Sequence, residues 1–145
     1  MTKEQARERV LQLAVLHGLG PQLRESMADI FLGVASPQIV PINTVLFKRG
    51  QASNDEGFVL LEGDVTVLKE GAPEFVAPAP DVLGEIAHIS PTKQRSATVS
   101  AASELKILRF KWSALLNAAQ QKLSASEMQQ FTSALQEYAW KHFTE

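Results

Sequence analysis

The sequence predicts an α+β domain in which a middle stretch of short β-strands is flanked by helices on both sides. Apolar residues recur at helical spacing over about 1–36, short β-branched runs separated by turn residues occupy about 39–110, and helical spacing returns over 111–145. A chain of 145 residues, 45% hydrophobic and 21% charged, has the size and composition of one globular domain. We therefore predict one domain, 1–145, made of these three zones.

Two helices are predicted before the strands. Ala6, Val10 and Leu13 follow helical spacing until Gly18 interrupts the pattern, and Pro21 begins a second helix. SPQIVP at 36–41 ends that helix because proline disfavours helix at the residue before it. The predicted apolar face of the second helix consists of Leu23, Met27, Ile30, Phe31 and Val34.

The middle zone contains six short β-like runs, TVLF, FVLLEG, DVTVLKEG, EFVAPAP, RSATVSA and ELKILRF. Many short strands at close spacing indicate a barrel, a sandwich or a jelly roll. In DVTVL, Val65 and Val67 alternate with polar residues and so share one face. GAPEFVAPAP at 71–80 contains three prolines, which restricts it to an edge strand or a loop.

Two more helices are predicted after the strands. The first runs from Lys111 to about Gln121, and Ser124 with Glu127 has the spacing of a capping box that starts the second. The apolar stripe of that last helix is Met128, Phe131, Leu135, Tyr138 and Phe143, with Trp140 off the stripe.

Composition argues against several classes of function. The net charge of −2 gives no electrostatic reason to expect a nucleic acid or an anionic membrane as partner. The absence of cysteine excludes disulfides and thiolate sites and fits a cytoplasmic chain. No apolar run is long enough to span a membrane, and the polar start MTKEQARERV is unlike a signal peptide.

Enzymatic activity is not expected from the motifs. His17, His88 and His142 are too scattered to suggest a metal site. The chain contains neither the Gly-x-Ser-x-Gly elbow of serine hydrolases nor a P-loop. We therefore predict a protein that is not an enzyme and has no metal or catalytic cofactor.

The stretch LGEIAHISPTKQRSATVSA, 83–101, has side chains suited to a ligand with an anion, a diol and an apolar part. Gly84 allows a close backbone approach, and Glu85 can accept hydrogen bonds from hydroxyl groups. The Arg95 guanidinium suits phosphate oxygens, and Ser96 adds a donor beside it. The alternative is that Glu85 and Arg95 form only a salt bridge that closes a surface loop.

This stretch resembles the phosphate-binding cassette of the cyclic nucleotide-binding domain family, of the catabolite activator protein and protein kinase A regulatory subunit type. The family pattern is roughly Gly-Glu-Leu/Ile-Ala, a short loop, and Arg-Ala/Ser-Ala-Thr/Trp-Val. The spacing from Glu85 to Arg95, and the serine after Arg95, match the catabolite activator form. VLFKRGQASNDEGFVLLEGDVTVLKEG at 45–71 is similar to the first half of the family's β-roll. The resemblance implies a jelly-roll-like β-roll, or double-stranded β-helix, with its cassette at 83–99.

The resemblance also implies a set of ligand contacts. Glu85 would bind the ribose 2′-hydroxyl, while Arg95 and Ser96 would bind the cyclic phosphate. Ala97 stands where members that prefer cyclic GMP often have threonine, so cyclic AMP is the expected ligand and cyclic GMP the less expected one. The other expected contacts are Gly84, Ile86, Ala87 and, in the base pocket, Val67.

The sequence departs from the family pattern at several positions. Leu83 stands in place of the usual phenylalanine, and Pro80–Asp81 in place of Gly-Asp. His88 replaces a common aliphatic residue, and we expect it on the helix surface or the pocket rim. The last helix is expected to form core and dimer contacts. A role as a lid over the base, through Tyr138, Trp140 or Phe143, is the alternative.

The expected function is a regulatory domain that binds a cyclic nucleotide and signals through its last helices to a partner protein or a linked domain. A homodimer through the last helix is a further expectation. Since the chain has no basic surface and ends at WKHFTE without a helix-turn-helix, we expect no DNA binding by this chain. The alternative is a degenerate family member that binds no nucleotide and serves for dimerisation or docking.

Overall fold

The computed structural model of the chain describes residues 1–85, 88 and 93–144, apart from the side chains of 142–144. The helices are α1 (Lys3–Leu11), a short 3₁₀ helix (Ala14–Leu16), α2 (Pro21–Val34), α3 (Trp112–Lys122) and α4 (Ala125–Thr144). The strands are β1 (Ser36–Val40), β2 (Val45–Phe47), β3 (Glu56–Glu62), β4 (Asp64–Lys69), β5 (Phe75–Pro78), β6 (Asp81–Leu83), β7 (Ala97–Ala101) and β8 (Leu105–Lys111).

The strands form two antiparallel four-stranded sheets that pack face to face. Their orders are β1-β8-β3-β6 and β2-β7-β4-β5, and helices precede and follow them in the chain. The predicted α+β fold, a β-roll flanked by helices, is confirmed. Strand β5 lies at a sheet edge, as the three prolines of 71–80 predict, and Pro78 is its last residue. Strand β1 begins at Ser36 rather than near Ile39, and Pro37 is tolerated there because β1 is also an edge strand.

The domain has two apolar cores, one on each side of the β1-β8-β3-β6 sheet. The outer core packs the four helices on that sheet; Phe31, Trp112 and Phe131 are each at most 1% exposed within it. The inner core fills the space between the sheets and contains Phe58 and Val65. Because side chains alternate along a strand, β3 and β8 supply residues to both cores.

The ends of the helices follow the predicted capping signals. The Ser124 hydroxyl accepts from the Glu127 amide at 3.1 Å, and Glu127 accepts from the Ser124 amide at 2.9 Å, which completes the predicted capping box. Thr2 and Gln5 form the same arrangement at the start of α1. Pro21 is in the first turn of α2, where its missing amide donor is not needed. Among the helices described, none is both long and apolar enough to cross a bilayer.

Candidate functional site

A cavity opens into the β-roll beside the β2-β7-β4-β5 sheet. It contains about 610 Å³ of empty space, part of which is open to solvent. Its polar groups are contributed by Lys69, Asp81, Glu85, Arg95 and Ser96. The remaining lining residues are Phe47, Val67, Phe75, Ala77, Val82, Leu83, Gly84, Ala97 and Val99. A mostly apolar pocket with a few convergent polar groups is typical of a small-molecule site.

Backbone hydrogen bonds fix the position of Arg95 at one end of this cavity. The Arg95 amide donates to the Gln51 carbonyl at 2.8 Å, and its carbonyl accepts from the Gly50 amide at 2.9 Å. A third bond, from the Ser53 amide to the Lys93 carbonyl, continues the pairing at 2.9 Å. The segment before β7 is therefore tied to the loop between β2 and β3.

The Arg95 guanidinium is held by backbone carbonyls through one of its two terminal nitrogens. Its Nη2 donates to the carbonyl oxygens of Ser53 and Glu56, at 3.1 and 3.0 Å. The guanidinium carbon lies 4.3 Å from the centre of the Phe47 ring, within cation–π range. Nη1 is buried and has no hydrogen-bond partner among the residues that the structure describes. A buried donor without a partner is costly, which makes this nitrogen a candidate contact for an anionic ligand.

The charge on Arg95 is retained in this environment. Arg95 is only 4% exposed, and burial lowers its pKa from the usual value. Glu56 and Glu85 oppose that shift because their negative charges favour the guanidinium. An arginine pKa starts so high that the side chain remains charged at neutral pH. The cavity therefore presents a buried positive charge.

Gly84 gives the guanidinium the space it occupies. A Cβ atom at this position would lie 2.5 Å from Nη1 of Arg95 and 3.3 Å from the Glu56 carbonyl oxygen. The φ angle of Gly84 is +91°, which other residues rarely adopt. Glycine is thus required here both by the backbone and by the neighbouring arginine.

The other predicted site residues that the structure describes also line the cavity. Glu85 is 5% exposed, and Ala97 on β7 and Val67 on β4 are 5% and 7% exposed. Ser96 follows Arg95 directly and is exposed to solvent. The predicted contacts Ile86 and Ala87 lie outside the described residues.

The alternative of a plain salt bridge between Glu85 and Arg95 does not account for this geometry. The side chains attract each other electrostatically, since Glu85 acts to raise the pKa of Arg95. However, the hydrogen bonds described for the guanidinium go to the backbone carbonyls of Ser53 and Glu56. Both charged side chains are also buried, unlike those of a surface ion pair.

The profile of a known protein family, described as the cyclic nucleotide-binding domain, matches residues 37–122 of the chain. The chain belongs to this family. The match spans β1 to β8 and α3, so it includes every described residue of the cavity. No protein with curated annotation has a sequence that matches the chain significantly.

Several solved structures have the same fold as this chain. The catabolite activator protein of Thermus thermophilus has a TM-score of 0.65 at 17% identity, covering 90% of this chain and 59% of that one. A putative cyclic nucleotide-binding protein from Geobacter metallireducens GS-15 has a TM-score of 0.63 at 15% identity and 94% coverage of both chains. A structure of cAMP-bound PfPKA-R (141-441) has a TM-score of 0.65 at 17% identity, covering 94% of this chain and 47% of that one. The chain thus spans less than two thirds of the catabolite activator protein.

His88 connects the cavity side of this cyclic nucleotide-binding domain to its C-terminal helices. Its ring stacks on the Trp112 ring at the start of α3, with centroids 4.6 Å apart and planes 14° apart. Its amide donates to the Gly84 carbonyl at 3.4 Å, and its carbonyl accepts from Lys93. Burial lowers the pKa of His88, Lys93 lowers it further, and Asp55 partly opposes the shift. We expected His88 on the helix surface or the pocket rim. It is half-buried, because its ring packs on Trp112.

The last helix also contacts the cavity. The Tyr138 hydroxyl on α4 donates a hydrogen bond to the carboxylate of Asp81, a residue of the cavity wall. Burial and the nearby Asp81 carboxylate raise the pKa of Tyr138, so the phenol stays protonated and remains a donor. Trp140 is 63% exposed, and the side chain of Phe143 lies outside the described residues. Of the three aromatic residues considered for a lid, Tyr138 is the one with a described contact to the cavity wall.

Several site residues were not anticipated from the sequence. Phe47 and Phe75 line the cavity from strands far from the cassette, and the Ser53 and Glu56 carbonyls hold Arg95. Only the pairing of strands brings these residues together, and no short motif marks them. Within the described part of the chain, no three histidine or acidic side chains are grouped so as to hold a metal ion.

Proposed function

We propose that this domain binds a cyclic nucleotide, preferably cyclic AMP, and that binding alters the positions of its C-terminal helices. The observation that carries the proposal is Nη1 of Arg95, which is buried beside Gly84 in a largely apolar cavity and has no partner among the described residues. A phosphate oxygen there would supply the missing acceptor. The interaction would be strong because a charge-assisted hydrogen bond gains strength in an apolar, buried site.

The remaining polar groups fit the rest of such a ligand. Glu85 is buried in the cavity wall and would accept a hydrogen bond from the ribose 2′-hydroxyl. Ser96 would donate to the phosphate from the position next to Arg95. The backbone of Gly84, with Ile86 and Ala87 beyond it, would contribute further contacts. This arrangement binds and orients a ligand, and we assign no reaction to it.

The preference for cyclic AMP is inferred from Ala97. Its side chain is buried in the cavity wall and has no hydroxyl group to donate to or accept from a guanine. Adenine does not need a hydrogen bond from this position, so cyclic AMP loses no affinity when the residue is alanine. Cyclic GMP is therefore the weaker ligand in the proposal.

Two contacts give the ligand a route to the helices. His88 stacks on Trp112 at the start of α3, and Tyr138 on α4 bonds Asp81 at the cavity wall. A ligand that draws the start of the cassette, at Gly84 and Glu85, toward Arg95 would strain or shift both contacts, and packed helices respond by moving as units. We propose that the response is read by a linked domain, a partner protein or a second copy of the chain.

Isothermal titration calorimetry of the purified chain with cyclic AMP, cyclic GMP and ATP tests the proposal. We expect binding heat with cyclic AMP, weaker binding of cyclic GMP, and a loss of binding in Arg95→Ala. The matched control is Arg109→Ala, because Arg109 is an exposed arginine on β8 that does not line the cavity. A folded chain that gives no heat with either cyclic nucleotide contradicts the proposal and supports the degenerate docking module instead.

A further inference from the structure

One short segment bonds both to the Arg95 guanidinium and to the start of α3. It consists of residues 53–56 and ends on the first residue of β3. The first and last of its four backbone carbonyls accept from Nη2 of Arg95. The second accepts from the Lys111 ammonium and the third from the Trp112 amide, each at 2.8 Å. The same four residues therefore contact the cavity arginine and the beginning of a helix.

The Asp55 side chain in this segment caps the N-terminus of α3 from a distant part of the chain. Lys111, at the N-cap position of α3, makes no side-chain cap hydrogen bond. Instead, a carboxylate oxygen of Asp55 accepts from the Ser113 amide at 3.1 Å and from the Ser113 hydroxyl at 2.5 Å. The first amides of a helix have no acceptor within the helix, and a negative charge beside them is favourable. The cap of α3 therefore depends on where the 53–56 segment lies.

The backbone of the 53–56 segment has a conformation that its contacts impose. Asn54 and Asp55 have φ angles of +52° and +62°, in the left-handed region that residues other than glycine seldom adopt, although asparagine and aspartate tolerate it best. Sparsely populated conformations of this kind persist when the surrounding structure holds them in place. The described contacts that hold this segment include those from Arg95 and from the start of α3. A change in the contacts with Arg95 should therefore change how firmly Asp55 is positioned.

We propose that Asp55 is a positioning residue that couples a phosphate bound at Arg95 to the start of α3. This inference rests on the proposed function, and it adds a route to the helices besides the two contacts described there. A phosphate oxygen on Nη1 would restrain the whole guanidinium, because its nitrogens belong to one rigid, planar group. Nη2 would then hold the 53–56 segment more firmly and fix Asp55 against Ser113. Coupling between two sites is reciprocal, so loss of the cap should also weaken ligand binding.

Amide hydrogen exchange of the full chain, followed residue by residue by NMR with and without cyclic AMP, tests this coupling. The Ser113 amide reports the contact directly, because its described acceptor is Asp55. We expect cyclic AMP to slow its exchange by about 5-fold or more, the lower end of typical allosteric coupling. In Asp55→Ala, the Ser113 amide should exchange rapidly with or without cyclic AMP. The affinity of this variant for cyclic AMP should fall by about 5-fold, although Asp55 does not line the cavity.

Ser124→Ala is the matched control, because it removes a helix cap of the same kind from α4. Ser124 neither lines the cavity nor belongs to the 53–56 segment. This variant should bind cyclic AMP as the unchanged chain does and keep the effect of the ligand on the Ser113 amide. Equal affinities of Asp55→Ala and Ser124→Ala for cyclic AMP would overturn the proposal. Thermal unfolding of each variant confirms that the compared proteins are folded.

A comparison without ligand separates this coupling from the proposed function. Arg95→Ala removes both hydrogen bonds from the guanidinium to the 53–56 segment. The Ser113 amide should therefore exchange about 5-fold faster or more in the free variant, while the Glu127 amide, capped by Ser124 on α4, keeps its rate. If the unchanged chain binds no cyclic nucleotide but Arg95→Ala has this effect, the proposed function fails and the coupling stands. Equal rates at Ser113 in the two free proteins, or an equal increase at Ser113 and Glu127, overturn the coupling.

Discussion

The two ends of the cavity are built in different ways. At the Arg95 end, one charged side chain is buried, bonded to the carbonyls of Ser53 and Glu56, and enclosed by a glycine with no room for a side chain. At the Phe75 end, the wall is apolar, lies on an edge strand, and is half open to solvent. In the proposed function, the first end is a rigid, preorganised receptor for an anion. The second end would be a surface on which a flat group can lie without directional hydrogen bonds.

In the proposed function, this difference means that recognition of the phosphate and recognition of the base depend on different properties of the chain. The Arg95 end depends on exact backbone geometry, so small changes there should have large effects on affinity. The Phe75 end would depend on the apolar area and shape of its wall. Substitutions there should therefore change the affinity gradually and by amounts that differ between ligands. The following predictions are arranged from the largest expected effect to the smallest.

After the loss of binding expected for Arg95→Ala, Gly84→Ala should cause the largest decrease in affinity for cyclic AMP. The new methyl group would meet Nη1 of Arg95 and would also occupy a backbone with φ of +91°, at a cost of about 1–3 kcal/mol in the free energy of unfolding. Displacement of the guanidinium should weaken cyclic AMP binding by about 10- to 100-fold, the value of a hydrogen bond to a charged group. Gly71→Ala is the control because Gly71 has a similar φ of +75° but no atom within 4 Å of the added methyl. Equal losses of affinity in the two variants would contradict the role given to Gly84.

Glu85→Gln should weaken binding only for ligands that carry the 2′-hydroxyl. Glutamine keeps an acceptor oxygen but has no charge, and the change from a charge-assisted to a neutral hydrogen bond corresponds to about 10-fold in affinity for cyclic AMP. The unchanged chain should bind 2′-deoxy cyclic AMP more weakly than cyclic AMP, and Glu85→Gln should discriminate less between the two ligands. If the variant and the missing hydroxyl have additive effects in titration calorimetry, Glu85 does not contact that hydroxyl.

Ala97→Thr should shift the base preference toward cyclic GMP. A new neutral hydrogen bond contributes about 0.5–1.5 kcal/mol, which corresponds to roughly a 2- to 10-fold change in the ratio of the two affinities. Ala97→Val introduces a side chain of nearly the same shape as threonine but without the hydroxyl. It serves as the control for added volume, because position 97 is buried and overpacking is itself destabilising. A shift of the same size in Ala97→Val would assign the effect to volume rather than to the hydroxyl.

The smallest effect is expected at His88, and it concerns how the free energy of unfolding depends on pH. Because burial and Lys93 lower the pKa of His88 in the folded chain, the unfolded chain binds the proton more readily. The contribution of His88 to the free energy of unfolding is therefore fully present above the pKa of the unfolded chain, about 6.5. It is lost as the pH falls from there through the lower pKa of the folded chain. Denaturant unfolding at several pH values should show a smaller decrease in stability between pH 7.5 and 5 for His88→Phe, which preserves the stacking on Trp112. Identical pH profiles for the two proteins would remove His88 as the source.

Much of the fold could be predicted from the sequence because its signals are local. Three such signals are the capping pair Ser124 and Glu127, the alternation of Val65 and Val67, and the prolines of 71–80, which predict an edge strand or a loop. The order of helices, strands and helices follows from such signals. The arrangement of the two sheets does not, because it depends on pairing between strands far apart in the chain.

The candidate site divides in the same way. Gly84, Glu85, Arg95 and Ser96 could be singled out because they form one contiguous motif, and the structure places all four at the cavity. Phe75 could not, because it reaches the cavity through the register of β5 on β4. The carbonyl groups that hold Arg95 were equally hidden, since every residue has a backbone carbonyl and only the fold selects which ones are used.

The most direct test of the central claim is a crystal structure of the chain with cyclic AMP. We predict that a phosphate oxygen accepts a hydrogen bond from Nη1 of Arg95, while Nη2 keeps its bonds to the Ser53 and Glu56 carbonyls. A structure in which cyclic AMP is bound away from Arg95, or in which its phosphate contacts other residues and leaves Nη1 without an acceptor, would contradict the account.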